Sequence, residues 1–159
     1  SIDALWKAIT EADQMRRWFF ENIPSFKPVI GFKTQFIVKN EDRNFLHMWE
    51  VTEVEPPKMI KYNWKYDGYQ GDSFVVFEIS QQDKKVNLKL THQVLESFSD
   101  GIREFERESG IGGWTFFIKK NLKEFEKNWS SFCHRNGIHY HQVCSSDSIT
   151  SILQKTLKL

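Results

Sequence analysis

Between Phe32 and His92 the chain alternates apolar and polar residues with a period of two. Phe32, Thr34, Phe36 and Val38 share one face of the first run. Ile60, Tyr62, Trp64 and Tyr66 alternate with Met59, Lys61, Asn63 and Lys65 in the third. Val75, Phe77 and Ile79 share a face in the fourth, and Val86, Leu88, Leu90 and His92 do so in the fifth. Successive side chains of a strand point to opposite faces, so each run reads as a half-buried strand. The expected strands are 32–38, 45–54, 58–66, 73–80 and 86–92. Polar or turn-forming segments separate them: Asn40 to Asn44, Pro56-Pro57, Asp67-Gly68 with Gly71-Asp72, and Gln81 to Lys85. Strands that succeed one another through such short turns form an antiparallel meander.

Helical spacing appears on both sides of this run. Ile2, Leu5, Trp6 and Ile9 make one apolar stripe, with Ser1 placed as N-cap. A short helix is expected over 13–20, ending in Trp18-Phe19-Phe20. Pro24 and Pro28 break the next segment, and Gly31 starts a new element. Residues 94–110 are acidic, with a short helix near 101–108, and Gly110 and Gly112-Gly113 punctuate the chain. The strongest helix is expected over 114–127, where Trp114, Phe117, Ile118, Leu122 and Phe125 fall on one face. A sheet of five or six strands needs its concave face covered, and this helix has the stripe to do so. The expectation is an α+β helix-grip domain over 1–127: a curved antiparallel sheet wrapped around a long C-terminal helix. The tail, 128–159, is rich in Ser and His and lacks clear periodicity up to Ile149. It reads as a disordered or atypical extension.

Composition sharpens one point. The chain has 14 Phe, 6 Trp and 4 Tyr in 159 residues, and the third strand carries its Tyr and Trp on the inward side. Aromatic side chains with polar tips suit the lining of a pocket. The same row would also make a plain aromatic core, and packing decides between the two. The net charge of +1 recruits neither nucleic acid nor an anionic membrane. No apolar run reaches the length of a membrane span, and no secretory signal pattern opens the chain, so a cytoplasmic protein is expected. Cys133 and Cys144 both lie in the tail, and the rest of the chain must be held by its core.

Four segments together resemble a known family. Leu5 to Thr10, with Met15 and Trp18-Phe19, looks like its opening helices. Val51 to Trp64 is similar to its central hairpin, Leu90-Thr91-His92 to the end of its last strand, and Gly113-Trp114 with Asn121-Leu122-Lys123 to its closing helix. The family is the START-like (SRPBCC) superfamily, in the branch homologous to the C-terminal domain of the activator of the ninety-kilodalton heat-shock protein ATPase. The resemblance covers roughly 2–127. It implies a helix-grip fold with a hydrophobic cavity between sheet and long helix. Family activities include binding of lipids or other apolar molecules, polyketide cyclisation and, in stress response, assistance to a chaperone. Two departures stand out. The family has a strand before its first helix, whereas this chain starts on the helix, which leaves a sheet edge for the segment 138–144 to fill or for a second copy to meet. The tail is the other departure.

The expected cavity wall is Trp18, Phe36, Trp49, Tyr62, Trp64, Phe77, Trp114 and Phe117. His92, inward at the end of the last strand, is the best single candidate to donate to a ligand or move a proton; as a structural residue it would instead be bonded to the protein. Glu53, on the side of Val51 and Trp49, is expected to point inward, and Glu78 outward. A zinc site from Cys133, His139, His141 and Cys144 matches no standard spacing, the lysines of the last helix read as a solvated face, and no phosphate loop, dinucleotide fingerprint or nucleophile elbow is present. No metal or cofactor is expected. The leading expectation is a module holding a small hydrophobic or amphipathic molecule, with His92 and Tyr62 orienting it. A chaperone-associated interaction domain and a cyclase-type enzyme using His92 are the alternatives, and the oligomeric state is monomer or homodimer.

Overall fold

The computed structural model describes residues 1–82, 85–122, 138–145 and 155–156. Helices α1 (Ile2–Thr10) and α2 (Ala12–Trp18) open the chain. Ser1 caps α1 by accepting from the Ala4 amide at 3.3 Å, satisfying one of the donors that every helix start leaves free. Five strands come next in order: β1 (Lys33–Asn40), β2 (Arg43–Glu55), β3 (Met59–Tyr66), β4 (Asp72–Gln82) and β5 (Lys85–Glu96). Each pairs antiparallel with the next, as the alternation requires. The chain then makes a 3₁₀ turn (Arg103–Phe105) and helix α3 (Arg107–Trp114), which continues as a π-helical stretch, Thr115–Leu122.

One sheet face carries the core. Phe36, Trp49, Val51, Ile60, Tyr62, Trp64, Val75, Phe77, Ile79, Val86, Leu88 and Leu90 are all buried there. Helix α1 packs on β4, and α2 packs on the π-helical stretch. Leu5, Ile9, Met15 and Trp18 are buried, and so are Trp114, Ile118 and Leu122 of the last helix. This is the helix-grip arrangement. Each fully buried large side chain contributes on the order of 1.5–3 kcal/mol of transfer free energy. The other face is held by cross-strand ion pairs, Lys33–Glu50 at 3.2 Å, Lys65–Asp72 at 3.1 Å and Lys89–Glu78 at 2.7 Å. Each of these adds at most about 1 kcal/mol. Their larger effect is to keep that face wet.

Two expectations need correction. The last helix begins at Arg107, well before Trp114, and Gly110, Gly112 and Gly113 lie inside it. No neighbour comes within 4 Å of where a Cβ would stand at these glycines, so packing does not select them. The alternation in β2 also fails after Val51. Val51 pairs with Tyr62 and Glu53 with Lys61, which leaves Thr52 as an extra, bulged residue. The bulge turns Glu53 outward, where its carboxylate meets Lys61 Nζ at 2.6 Å. Glu53 therefore does not line the interior.

A second bulge between Asp72 and Ser73 leaves Leu95 unpaired and exposed. Beyond β5 the sheet continues. Strand β6 (Ile138–Ser145) runs parallel to β5, Val86 opposite Ile138, and β7 (Lys155–Thr156) pairs antiparallel with β6. The tail segment expected to cover this edge lies along it.

The open end of the sheet is closed by a separate aromatic cluster. Phe105 of the 3₁₀ turn meets Tyr66 at 4.7 Å, Tyr69 at 5.1 Å, Phe98 at 5.3 Å and Phe45 at 5.5 Å between ring centroids. Glu104 anchors it by accepting from Asn40 Nδ2 at 3.0 Å and Arg43 at 3.2 Å. Gly71 sits beneath this cluster at φ 125°, and a Cβ there would stand 2.1 Å from Phe98 Cδ1 and 2.8 Å from Phe98 Cα. Backbone strain and the clash act together, so Gly71→Ala is expected to cost about 2 kcal/mol. A urea midpoint equal to the parent's would refute this.

Candidate functional site

The inner face of β1, β2 and β3 brings together the largest group of aromatic side chains. Strand register sets their neighbours. Trp49 lies opposite Trp64, Thr34 opposite Trp49, and Phe36 opposite His47. The ring centroids of Trp49 and Trp64 are 5.0 Å apart, those of Trp49 and Tyr62 4.9 Å, and those of His47 and Trp64 5.2 Å. Phe77, Trp18 and Trp114 continue the surface, with Trp18 edge-on to Phe77 at 6.4 Å and Trp114 edge-on to it at 6.1 Å. The eight aromatic residues read from the sequence as the wall are all inward, seven of them buried and Phe117 packed against them.

The space between this wall and the last helix is occupied by two rings that the sequence pattern did not place. Phe19 stacks on Trp49 at 5.5 Å on the sheet side and on Trp114 at 5.3 Å on the helix side, with Phe117 edge-on at 4.8 Å. Phe20 meets Phe36 at 5.3 Å and His47 at 5.1 Å. Both come from the residues just after α2, where the backbone leaves helical geometry at Phe19. They belong to the entering segment, whereas the wall belongs to the sheet.

His92 is inward, as its place in the alternation requires, but both ring nitrogens are engaged. Trp114 Nε1–H donates to His92 Nδ1 at 3.0 Å. An indole nitrogen can only donate, so Nδ1 must accept and the proton sits on Nε2. That nitrogen lies 3.0 Å from Ser73 Oγ, and Ser73 in turn donates to the Trp64 carbonyl at 2.8 Å. The chain Trp114→His92→Ser73→Trp64 fixes one tautomer and spends every polar valence in it. Burial holds the imidazole neutral, with its pKa lowered to about 4. His92 thus ties the last helix to β4 and β5.

His47 was not singled out from the sequence, although the run Phe45, His47, Trp49, Val51 places it inward. It is 5% exposed, stacks on Phe36 at 5.2 Å, and its pKa is lowered by burial to about 3. Its Nδ1 has no partner. Neither has Thr34 Oγ1, Trp49 Nε1, Tyr62 Oη or Trp64 Nε1 at full hydrogen-bonding geometry, although Trp64 lies near enough to the Tyr66 hydroxyl to offset part of the burial that pushes that phenol up to about 12. These five atoms all belong to inward residues of three adjacent strands. Trp18 shows the ordinary alternative, since its Nε1–H donates to the Ala8 carbonyl at 2.8 Å.

Two clefts of about 500 Å³ lie nearer the surface. One is lined by Trp6, Thr10, Phe26 and Pro28 between α1 and the segment before β1. The other brings Pro24 and Ser25 together with Thr34, Trp49 and outer-face residues such as Lys65. Among the described residues, no group of acidic, His and Cys side chains is disposed to hold a metal, and no helix is long and apolar enough to cross a membrane. The side chains of Cys133, His139, His141 and Cys144 lie outside the described residues.

The sequence matches the activator of Hsp90 ATPase homolog 1-like protein family over residues 1–126. The chain belongs to that family. Solved structures agree on the fold of this activator-homologue domain. A Mesorhizobium loti protein superposes with a TM-score of 0.55 at 23% identity, covering 79% of this chain and 89% of its own. A Chromobacterium violaceum protein gives 0.57 at 14% identity, with coverage of 75% and 85%. A Staphylococcus epidermidis protein gives 0.53 at 13%, with coverage of 82% and 84%. None of the curated proteins matches the sequence.

Proposed function

We propose that this activator-homologue domain binds a small apolar or amphipathic molecule against the inner face of β1–β3. The observation that carries the reading is the set of five buried polar atoms without a well-formed protein hydrogen bond. More than nine in ten buried polar groups in proteins are hydrogen-bonded. Leaving one unpaired costs about 1–3 kcal/mol. Five on one contiguous aromatic surface, at residues 8% exposed or less, is the signature of a surface completed by a guest. The guest takes the room now held by Phe19 and Phe20, which swing out with the segment that carries them.

Two measurements test this. Native mass spectrometry of the purified protein should show an added mass on the order of a few hundred daltons, the size of a drug-like guest. The neutral probe N-phenyl-1-naphthylamine should bind saturably with enhanced fluorescence. A bare polypeptide mass together with no saturable probe binding would sink the reading, and would leave the five atoms to ordered water.

A further inference from the structure

The polar atoms on this face also specify the chemistry of the guest, an inference that rests on the binding reading above. Among the described residues the buried polar side chains outside the aromatics are Thr10, Thr34, His47 and Ser73, and no Lys, Arg, Asp or Glu is buried. The lysines of β3, Lys61 and Lys65, point to the outer face and are paired with Glu53 and Asp72. A carboxylate or phosphate seated on the inner face would therefore have no counter-charge. Burying an unpaired ion costs several kcal/mol even after relaxation. A pure hydrocarbon fits no better. Trp49 Nε1 and Trp64 Nε1 are obligate donors, and a hydrocarbon would leave Trp49 with no partner and Trp64 with only its weak contact to the Tyr66 hydroxyl. Their ring centroids are 5.0 Å apart with the planes tilted by 52°, so the two indoles are neighbours on one surface. Tyr62 Oη and Thr34 Oγ1 are further donors on the same surface.

The geometry points to an uncharged guest that carries acceptor oxygens of the carbonyl class, such as an ester, ketone, quinone or amide, on an apolar body, with Trp49 and Trp64 as its hydrogen-bond donors. Free fatty acids and phosphorylated lipids are then disfavoured by charge, and plain hydrocarbons by the unmet indoles.

Three probes of one skeleton separate these cases: methyl 2-naphthoate, the 2-naphthoate anion and naphthalene, measured by equilibrium dialysis against the whole chain at pH 7.5. The ester should bind at least about tenfold tighter than the anion, reflecting the unpaired charge. It should bind about three- to tenfold tighter than naphthalene, the worth of a net hydrogen bond. Trp64→Phe keeps a ring in place and removes one donor. It should erase most of the ester's advantage over naphthalene, both affinities being measured in the variant so that any change in ring volume acts on the two alike; Trp49→Phe is the second variant should the first fail to fold. An anion that matches the ester, or a hydrocarbon that does, overturns the inference and leaves the binding reading standing. Failure of all three probes overturns the inference too, and the binding reading falls with it only if N-phenyl-1-naphthylamine also fails to bind.

Discussion

Lowering the pH from 7.5 to 5.5 should cost this fold about 3 kcal/mol. The cause is the pair of inward histidines. His47 is held neutral by burial, with a folded pKa of about 3, and His92 likewise with one of about 4. In the unfolded chain both titrate near 6.5. Between those values the unfolded state binds protons that the folded state refuses, so stability falls as pH falls. The full contribution is present above about pH 6.5. The loss begins there and continues down to about pH 4 for His92 and about pH 3 for His47. At pH 5.5 each histidine accounts for about 1.4 kcal/mol. For His92 the structural reason is explicit: Nδ1 already accepts from Trp114 Nε1–H, and a proton placed there would face a second donor. Urea denaturation at the two pH values measures the total. His47→Phe removes one of the two groups and should reduce the loss by about half. Equal stability at both pH values would refute the assignment, as would ring resonances assigned to His47 and His92, among the five histidines of the chain, found titrating near 6.5 in the folded protein.

The alternation of apolar and polar residues was enough to place all five strands of the meander, because a strand with one wet face must repeat with period two. It was also enough to orient Trp49, Tyr62, Trp64 and Phe77. Its failures have specific causes. Carrying the period straight through Val51 places Glu53 inward, but a bulge is an added residue that alternation alone does not announce. His47 stood in a legible pattern, Phe45-x-His47-x-Trp49, and the same period-two rule that placed the aromatic row of β3 would have placed it inward. Phe19 and Phe20 could not be placed by periodicity, since they leave the end of α2 in a non-helical conformation and no repeat extends across them. Gly110, Gly112 and Gly113 look like punctuation, yet packing of Trp114 and Ile118 against the sheet outweighs their poor helix propensity. The role of His92 is a matter of partners. The sequence placed it at the interior, and only the proximity of Trp114 and Ser73, far from it along the chain, shows its polar valences to be filled.

Phe19→Ala should separate the contribution of this ring to the fold from its contribution to binding. The ring touches Trp18, Trp49, Trp64, Trp114 and Phe117, and the residue is 6% exposed. Its loss removes contacts on both the sheet and the helix side. A buried Phe→Ala substitution costs about 3–5 kcal/mol, combining lost transfer free energy with the cavity left behind. A large drop in urea midpoint is therefore expected. Affinity should move the other way. In the parent protein a guest must first displace Phe19, and that work is subtracted from the binding free energy. In the variant the space stands open, walled by indole and phenyl rings, and an apolar cavity of this kind readily accepts an aromatic guest. N-phenyl-1-naphthylamine should bind about tenfold tighter, a difference of about 1.4 kcal/mol. Phe116, 47% exposed on the far side of the last helix, provides the control, and Phe116→Ala should change stability by less than about 0.5 kcal/mol and leave the probe's affinity alone. If Phe19→Ala is destabilised but binds the probe no better than the parent, Phe19 is core and nothing more, and the guest site lies elsewhere. If it binds better, the ring that completes the core is also the one a ligand must move, and the cost of moving it sets the affinity of the unmodified protein.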